Sequence, residues 1–170
     1  MVIDQDDLAH AYRFALSLCR NSWLADDLAQ EAILRAVSTK QQFTNRTELR
    51  KWLFRVTLNL WIDSTRKSSA YTNRPLALRD LVDGSQRFDH KAEVAEELTA
   101  LFAEMQRLPL KQRQVLHLRV IEGMSVKDVA EIFDMTDGAV KTNLSLARKK
   151  LRESTAIAHL QHSPRRQENE

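Results

Sequence analysis

The chain has 170 residues, of which 43% are hydrophobic and 29% charged, and its formal net charge is +3 at pH 7. This length is enough for one or two small domains with packed cores. No apolar run approaches the length of a membrane span, and the acidic start MVIDQDDLAH is unlike a signal peptide. We therefore expect a cytoplasmic protein that does not insert into membranes.

Few residues interrupt helices, since the chain has only three glycines and three prolines, and no alternating strand pattern stands out. The predicted fold class is all-α, with two small helical domains joined by a flexible linker. The first domain covers residues 1–67, the linker 68–92, the second domain 93–153, and 154–170 form a tail predicted to be disordered. The one cysteine, Cys19, lies in an apolar run and is predicted to be a buried thiol.

Three helices are predicted in the first domain, over residues 8–20, 24–40 and 49–67, with Thr47 as N-cap of the third. One face of the second helix is acidic. Its members are Asp27, Gln30, Glu31 and Leu34. From charge alone this face fits either solubility or a partner, and the acids also complement the helix dipole.

The third predicted helix combines cations with aromatic rings, a pattern that suits single-stranded nucleic acid. Trp52 is assigned to the core, whereas Phe54 and Trp61 lie off the apolar stripe and fit either core packing or base stacking. Along one side an asparagine can make paired hydrogen bonds to a base edge. That side carries Arg55, Asn59, Ile62, Asp63 and Arg66, and the other cations of the helix are Arg50, Lys51 and Lys67.

Residues 108–153 carry the clearest motif of the chain. After Ser125 as N-cap, apolar residues recur at helical spacing, the pattern breaks at 135–138, and a second apolar face follows. The two faces consist of Val126, Val129, Ala130 and Phe133, and of Val140, Leu144, Ala147 and Leu151. Two short helices across a tight turn form a helix-turn-helix, whose second helix commonly enters the DNA major groove.

Catalytic and metal-binding patterns are missing from the sequence. The five histidines are dispersed, and there is no HExxH pairing, Cys-rich spacing or glycine-rich phosphate loop. We therefore expect no enzymatic activity, no catalytic residues, no metal and no cofactor.

Taken in order, three segments resemble the bacterial extracytoplasmic-function sigma factors. They are residues 24–37 (LADDLAQEAILRAV), residues 49–67 (LRKWLFRVTLNLWIDSTRK) and the helix-turn-helix of residues 108–153. The resemblance covers most of residues 8–153. It implies a promoter-reading subunit of bacterial RNA polymerase, with a region 2-like first domain and a region 4-like second domain.

The resemblance also implies roles for individual residues. The polymerase core would bind Asp27, Gln30, Glu31 and Leu34. The melted minus-ten element, with an extruded base captured by the loop 41–47, would contact Phe43, Asn45, Lys51, Arg55, Asn59, Trp61, Arg66 and Lys67. The minus-thirty-five element would contact Asp137, Lys141, Thr142, Asn143, Ser145, Arg148 and Lys149. The implied partners are promoter DNA, the polymerase core and an anti-sigma factor.

The recognition helix departs from the family at Asn143, Ser145 and Leu146, where basic residues are common. Its remaining cations are concentrated near the C-terminal end, which favours phosphate contacts over base contacts. This departure motivates one alternative, a sigma-like mimic that sequesters an anti-sigma factor without reading DNA. A free-standing helix-turn-helix repressor is another alternative, but it leaves the basic and aromatic third helix without a purpose.

Overall fold

The computed structural model of the chain describes residues 2–71 and 101–154, and every regular element within them is helical. The helices are α1 (Gln5–Cys19), α2 (Ser22–Ser38), α3 (Arg46–Tyr71), α4 (101–107), α5 (Leu110–Leu116) with a π-helical turn (His117–Ile121), α6 (Val126–Phe133) and α7 (Asp137–Glu153). The predicted all-α class is confirmed. Residues 72–100 and 155–170, which include most of the predicted linker and the predicted tail, lie outside the described residues.

Local hydrogen bonds explain where the first two helices begin. Asp4 and Asp7 form a capping box before and within the first turn of α1, each side chain accepting from the backbone N–H of the other at 3.1 Å. Asn21 caps α2, because its Oδ1 accepts from the backbone N–H of Leu24 at 2.9 Å. Both helices therefore start at side chains that satisfy otherwise unpaired backbone donors.

The start and end of α3 differ from the prediction. Thr47 is not the N-cap: the helix begins at Arg46, and Asn45 Oδ1 accepts from the backbone N–H of Glu48 at 2.9 Å. An asparagine caps a helix at least as well as a threonine, and the apolar stripe that predicted this helix begins only at Leu49. The helix also continues to Tyr71, beyond the predicted linker start at residue 68. The first strong helix breaker after it in the sequence is Pro75.

Small residues bring the first three helices close together. Ala25, Ala29 and Ala32 of α2 are fully buried, and Leu49 and Leu53 of α3 are also fully buried. The buried position predicted for Cys19 is confirmed, since its exposed fraction is 3%. Burial raises the pKa of this thiol, so it stays protonated and weakly nucleophilic near neutral pH.

The apolar core of the second domain is continuous with that of the first. One cluster joins Phe14 and Phe54 of α1 and α3 to Val115, Leu118 and Phe133 of α5–α6. The Phe14 ring meets Phe54 edge-on with centroids 5.1 Å apart, and it lies 6.4 Å from the ring of Phe133. Phe54 is fully buried, which settles the choice left open by the sequence in favour of core packing. The described domains are therefore packed against each other.

Candidate nucleic-acid and polymerase interfaces

The face of α2 that points away from the core is acidic and partly apolar. Asp27, Gln30 and Leu34 are exposed, and Glu31 is half-buried. Glu31 is held by Arg35 at 2.7 Å, and Gln30 donates to Asp26 at 2.8 Å. The structure therefore brings the predicted polymerase-binding residues together on one accessible surface.

Two exposed apolar residues extend this face and were missed from the sequence. Trp23 and Val37 are 84% and 68% exposed, and Leu34 between them is 60% exposed. With Asp27 and Gln30 they follow spacings of three and four residues, so all five lie on one stripe of the helix. The same spacing was readable in the sequence. A tryptophan left in water on such a stripe indicates a protein-binding surface, and we call these five residues the α2 stripe.

The cationic side of α3 is divided into a free part and an engaged part. Asn59, Arg66 and Lys67 are exposed. Lys51 is half-buried and pairs with Asp128 of α6 at 3.3 Å and with Glu131 of α6 at 2.5 Å. The hydrogen bond to Glu131 raises the pKa of Lys51, so the lysine is fully charged in this contact.

Arg55, the central cation of the same side, also reaches the second domain. Its guanidinium donates to the backbone carbonyl of Glu131 at 2.5 Å, although much of the arginine remains exposed. Lys51 and Arg55 therefore face α6 together, and both were predicted to contact DNA.

The aromatic residues of this region are less accessible than the sequence indicated. Phe43 is half-buried and packs edge-on against Trp52, with ring centroids 5.6 Å apart. Trp61 is also half-buried and packs against two apolar clusters. Asn45 is exposed, but its carbonyl oxygen caps α3 and its amide donates to Thr44 at 3.2 Å. Only partial faces of the two predicted stacking rings are open to a base.

The helix-turn-helix has the predicted architecture. Ser125 caps α6 by accepting from the backbone N–H of Asp128 at 3.1 Å. Thr136 caps α7 in the same way, and Asp134 makes the turn between the helices with φ +51°. The predicted break at 135–138 thus lies slightly late, since α7 already includes Asp137 and Gly138. Short polar side chains such as that of aspartate tolerate the left-handed conformation, so the residues of the turn themselves are sufficient to form it.

The outer face of α7 contains almost all of the predicted minus-thirty-five residues. Those exposed are Asp137, Lys141, Thr142, Ser145, Arg148 and Lys149. Asn143 is half-buried, and its amide donates to the backbone carbonyl of Ala139 at 2.9 Å, so this donor is engaged within the helix. Leu146, by contrast, is 43% exposed in the middle of the face. Leu146 stands where basic residues are common in the family that the sequence resembles, and the sequence predicts no DNA contact for it.

Known proteins share both halves of this arrangement. Residues 5–71 match the family described as Sigma-70 region 2, and residues 92–151 match the family described as Sigma-70, region 4. The ECF RNA polymerase sigma factor EcfG of Rhodopseudomonas palustris (strain TIE-1) is 34% identical over 142 residues, 81% of this chain and 75% of the relative. The ECF RNA polymerase sigma factor SigM of Bacillus subtilis (strain 168) is 30% identical over 147 residues, 83% of this chain and 85% of the relative.

A solved structure has a similar backbone. It is the sigma factor RpoE in complex with the anti-sigma factor NepR from Bartonella quintana, with a TM-score of 0.70 and 24% sequence identity. The match covers 89% of this chain and 92% of the other. At this identity the match establishes a common fold. The two family matches, which cover one helical unit each, are consistent with that fold.

Proposed function

The chain belongs to the extracytoplasmic-function group of RNA polymerase sigma factors, and we propose how its exposed surfaces carry out that function. It is a transcription initiation factor that directs RNA polymerase to specific promoters, and it is not an enzyme. No helix in the described ranges is long and apolar enough to cross a membrane. We place the protein in the cytoplasm, because its polymerase partner works there.

The α2 stripe is the proposed docking site for the polymerase core. The observation that supports it best is the 84% exposure of Trp23, next to Leu34 and the acid Asp27. Protein interfaces typically combine an aromatic anchor with a surrounding polar rim. Glu31, held in place by Arg35, belongs to that rim.

The proposed minus-ten surface is the cationic side of α3. Arg66 and Lys67 are available for phosphates, and Asn59 between them and Arg55 is available for a base edge. Lys51 and Arg55 lie on the same side of α3 and also contact α6. Phe43 and Trp61 are half-buried, so each ring exposes only part of its face. A base can stack on them only after it has left the duplex and while phosphate contacts hold its strand in place.

The proposed minus-thirty-five surface is the outer face of α7, where Arg148 and Lys149 suit phosphates and Lys141 and Thr142 lie nearer the N-terminal, base-reading part. Leu146 brings an exposed apolar group to the same face. The thymine methyl is the apolar group that base pairs present in the major groove. We therefore assign Leu146 to contact with a thymine, in place of the guanine contact typical of a basic residue.

Replacing that thymine by deoxyuridine is expected to weaken binding of the wild-type holoenzyme by about fourfold, the value of one buried methyl group. Leu146→Ala is expected to bind less tightly and to lose the difference between the two bases. The measurement is the affinity of both proteins for promoter duplexes with single thymine-to-deoxyuridine replacements. If no replacement affects the wild type more than the variant, Leu146 does not read a methyl group.

Arg55→Ala and Lys149→Ala are each expected to lower the salt dependence of promoter binding by about one unit of slope, because each removes one phosphate contact. The measurement is holoenzyme–promoter affinity across a range of salt concentrations. Arg107→Ala is the matched control, since Arg107 is 76% exposed and pairs with Glu104 within α4. A slope equal to that of the control excludes a phosphate contact by the residue concerned.

In vitro transcription tests the function as a whole. DNA crosslinked to the protein in cells supplies its promoters, and purified chain with core polymerase is expected to start transcripts from them. Absence of transcripts, with a control sigma factor active in the same assay, contradicts the assignment.

The mimic alternative is separated by a pull-down. A mimic binds an anti-sigma factor and leaves core polymerase unbound, whereas a sigma factor binds the polymerase. The two curated relatives named above are sigma factors, which argues against the mimic. The anti-sigma factor seen with the Bartonella quintana protein supports, for this chain, a partner of the same class.

A further inference from the structure

The loop between α2 and α3, residues 39–45, is held in shape by contacts with the start of α3. Glu48, in the first turn of that helix, accepts from the backbone N–H of Thr44 at 2.8 Å and from its hydroxyl at 2.7 Å. These two hydrogen bonds lower the pKa of Glu48, so its carboxylate is charged at neutral pH. Phe43 packs edge-on against Trp52 of the same helix. The second half of the loop is therefore fixed to α3.

A buried acid of α1 anchors the point where this loop ends. Asp7 is 0% exposed, and its carboxylate pairs with the guanidinium of Arg46, the first residue of α3. The same guanidinium pairs with Asp4 at 2.6 Å and donates to the backbone carbonyl of Val2 at 3.2 Å. Arg46 thus ties the end of the loop to three groups at or just before the start of α1.

Asp7 is itself held in place by other contacts. It belongs to the capping box of α1, so one of its oxygens also accepts from the backbone N–H of Asp4 at 3.1 Å. Arg50, one turn further along α3, has its Nε 3.9 Å from the other oxygen. Leaving a buried carboxylate without its cations is strongly unfavourable, so Asp7 opposes any shift of the start of α3 away from α1.

The loop carries two of the residues that are predicted to contact the melted minus-ten element, Phe43 and Asn45. Side chains that are ordered before a ligand arrives bind it more tightly, because no conformational entropy is lost in ordering them. We propose that Asp7 is a positioning residue for promoter recognition, which acts through Arg46 to hold the loop in the arrangement that receives an extruded base. This inference rests on the proposed minus-ten surface.

Abasic nucleotides test whether Asp7 acts through the loop. The probe is a promoter DNA with an unpaired minus-ten element in which one nucleotide at a time lacks its base, and the measurement is its affinity for the holoenzyme. With the wild type, we expect loss of the captured base to weaken binding by at least about fivefold, the lower end of the value of one stacked base. With Asp7→Asn, the penalty at that position is expected to fall below about twofold, whereas penalties at other positions stay unchanged.

The sign of the Asp7→Asn effect separates positioning from simple electrostatics. Removing a negative charge spares or strengthens the attraction of the protein for DNA, whereas loss of positioning weakens binding of the intact probe. Asp7 makes no DNA contact that could be lost, because its side chain is fully buried. A merely structural role lowers the affinity for intact and abasic probes alike and leaves every abasic penalty as it was.

Arg46→Gln breaks the same pair from its half-exposed side and is expected to lower the same abasic penalty, whereas Arg46→Lys, which keeps a cation beside Asp7, is expected to retain most of it. The control is Arg107→Gln, which removes another arginine that pairs with a mostly buried carboxylate, that of Glu104. Thermal unfolding checks the fold of each variant. Should Asp7→Asn fold poorly, Arg46→Gln carries the comparison.

Two outcomes overturn the proposal, and they are distinguishable. If the wild type shows an abasic penalty that Arg46→Gln retains in full, as the Arg107→Gln control does, the pair of Asp7 and Arg46 does not position the loop. If the wild type shows no abasic penalty at any position, the loop captures no base, and the proposed minus-ten contact of the loop fails together with the role of Asp7.

Discussion

Replacing Phe54 with alanine is expected to lower the free energy of unfolding by about 3–5 kcal/mol, the usual cost of deleting a fully buried phenyl ring. Phe54 is 0% exposed, and its ring meets Phe14 at the point where the cores of both domains join. The cavity left by the ring has few ways to collapse, because α1, α3 and α6 all line the shared cluster.

Denaturant unfolding followed by circular dichroism measures this effect. Arg66→Ala on the same helix is the control, since Arg66 is exposed and exposed substitutions usually change stability by about 0.5 kcal/mol or less. A Phe54→Ala loss no greater than that of Arg66→Ala removes Phe54 from the core. Phe54→Leu keeps most of the apolar volume and is expected to fall between the two.

Trp23→Ala is expected to weaken binding of the core polymerase by at least about 30-fold, which corresponds to the roughly 2 kcal/mol of an interface hot spot. The ring is 84% exposed in the free chain, so its removal leaves the fold intact and acts on the docked state. Asp27→Arg is expected to reduce affinity in the same direction by reversing a charge on the same stripe.

Affinity for purified core polymerase by fluorescence anisotropy measures both variants. Phe102→Ala, which deletes an exposed aromatic from α4, controls for loss of apolar surface in general, and Asp6→Arg on α1 controls for the change in charge. Affinity losses no larger than those of these controls place the polymerase contact elsewhere than on the α2 stripe.

The N-terminal half of the recognition helix α7 carries a single basic residue, Lys141. We therefore expect promoter affinity to be shared among the contacts to the polymerase and to both promoter elements. Linking several weak contacts through one chain raises their combined strength through effective concentration. Individual base contacts at α7 can therefore be weak while the chain as a whole binds its promoter.

The periodic spacing of apolar residues in the sequence was sufficient to predict the helix-turn-helix. Ser125, Val129 and Phe133 all occupy their predicted places, because capping and the spacing of apolar residues are set within a few turns of one helix. The acidic face of α2 was likewise readable, since it too depends on positions within one helix. Trp23 obeys the same spacing and was overlooked.

Long-range packing decided the rest. Phe54 and Trp61 lie off the apolar stripe of α3, yet both pack in apolar clusters. The reason is that α3 packs on both domains and therefore has more than one buried side. A prediction based on one apolar stripe per helix does not anticipate this. Phe43, predicted to contact the melted minus-ten element, packs against Trp52. None of these contacts is encoded by spacing within one helix.

The sequence by itself determined that the chain is helical, where its helix-turn-helix lies, and which surfaces are acidic or basic, because these properties follow from neighbours three and four residues apart. Only the tertiary structure decided which cations are free. Lys51 and Arg55 meet Glu131 at separations of 80 and 76 residues, whereas Arg66 remains exposed. Such pairings depend on how two domains pack, and no local pattern in the chain carries that information.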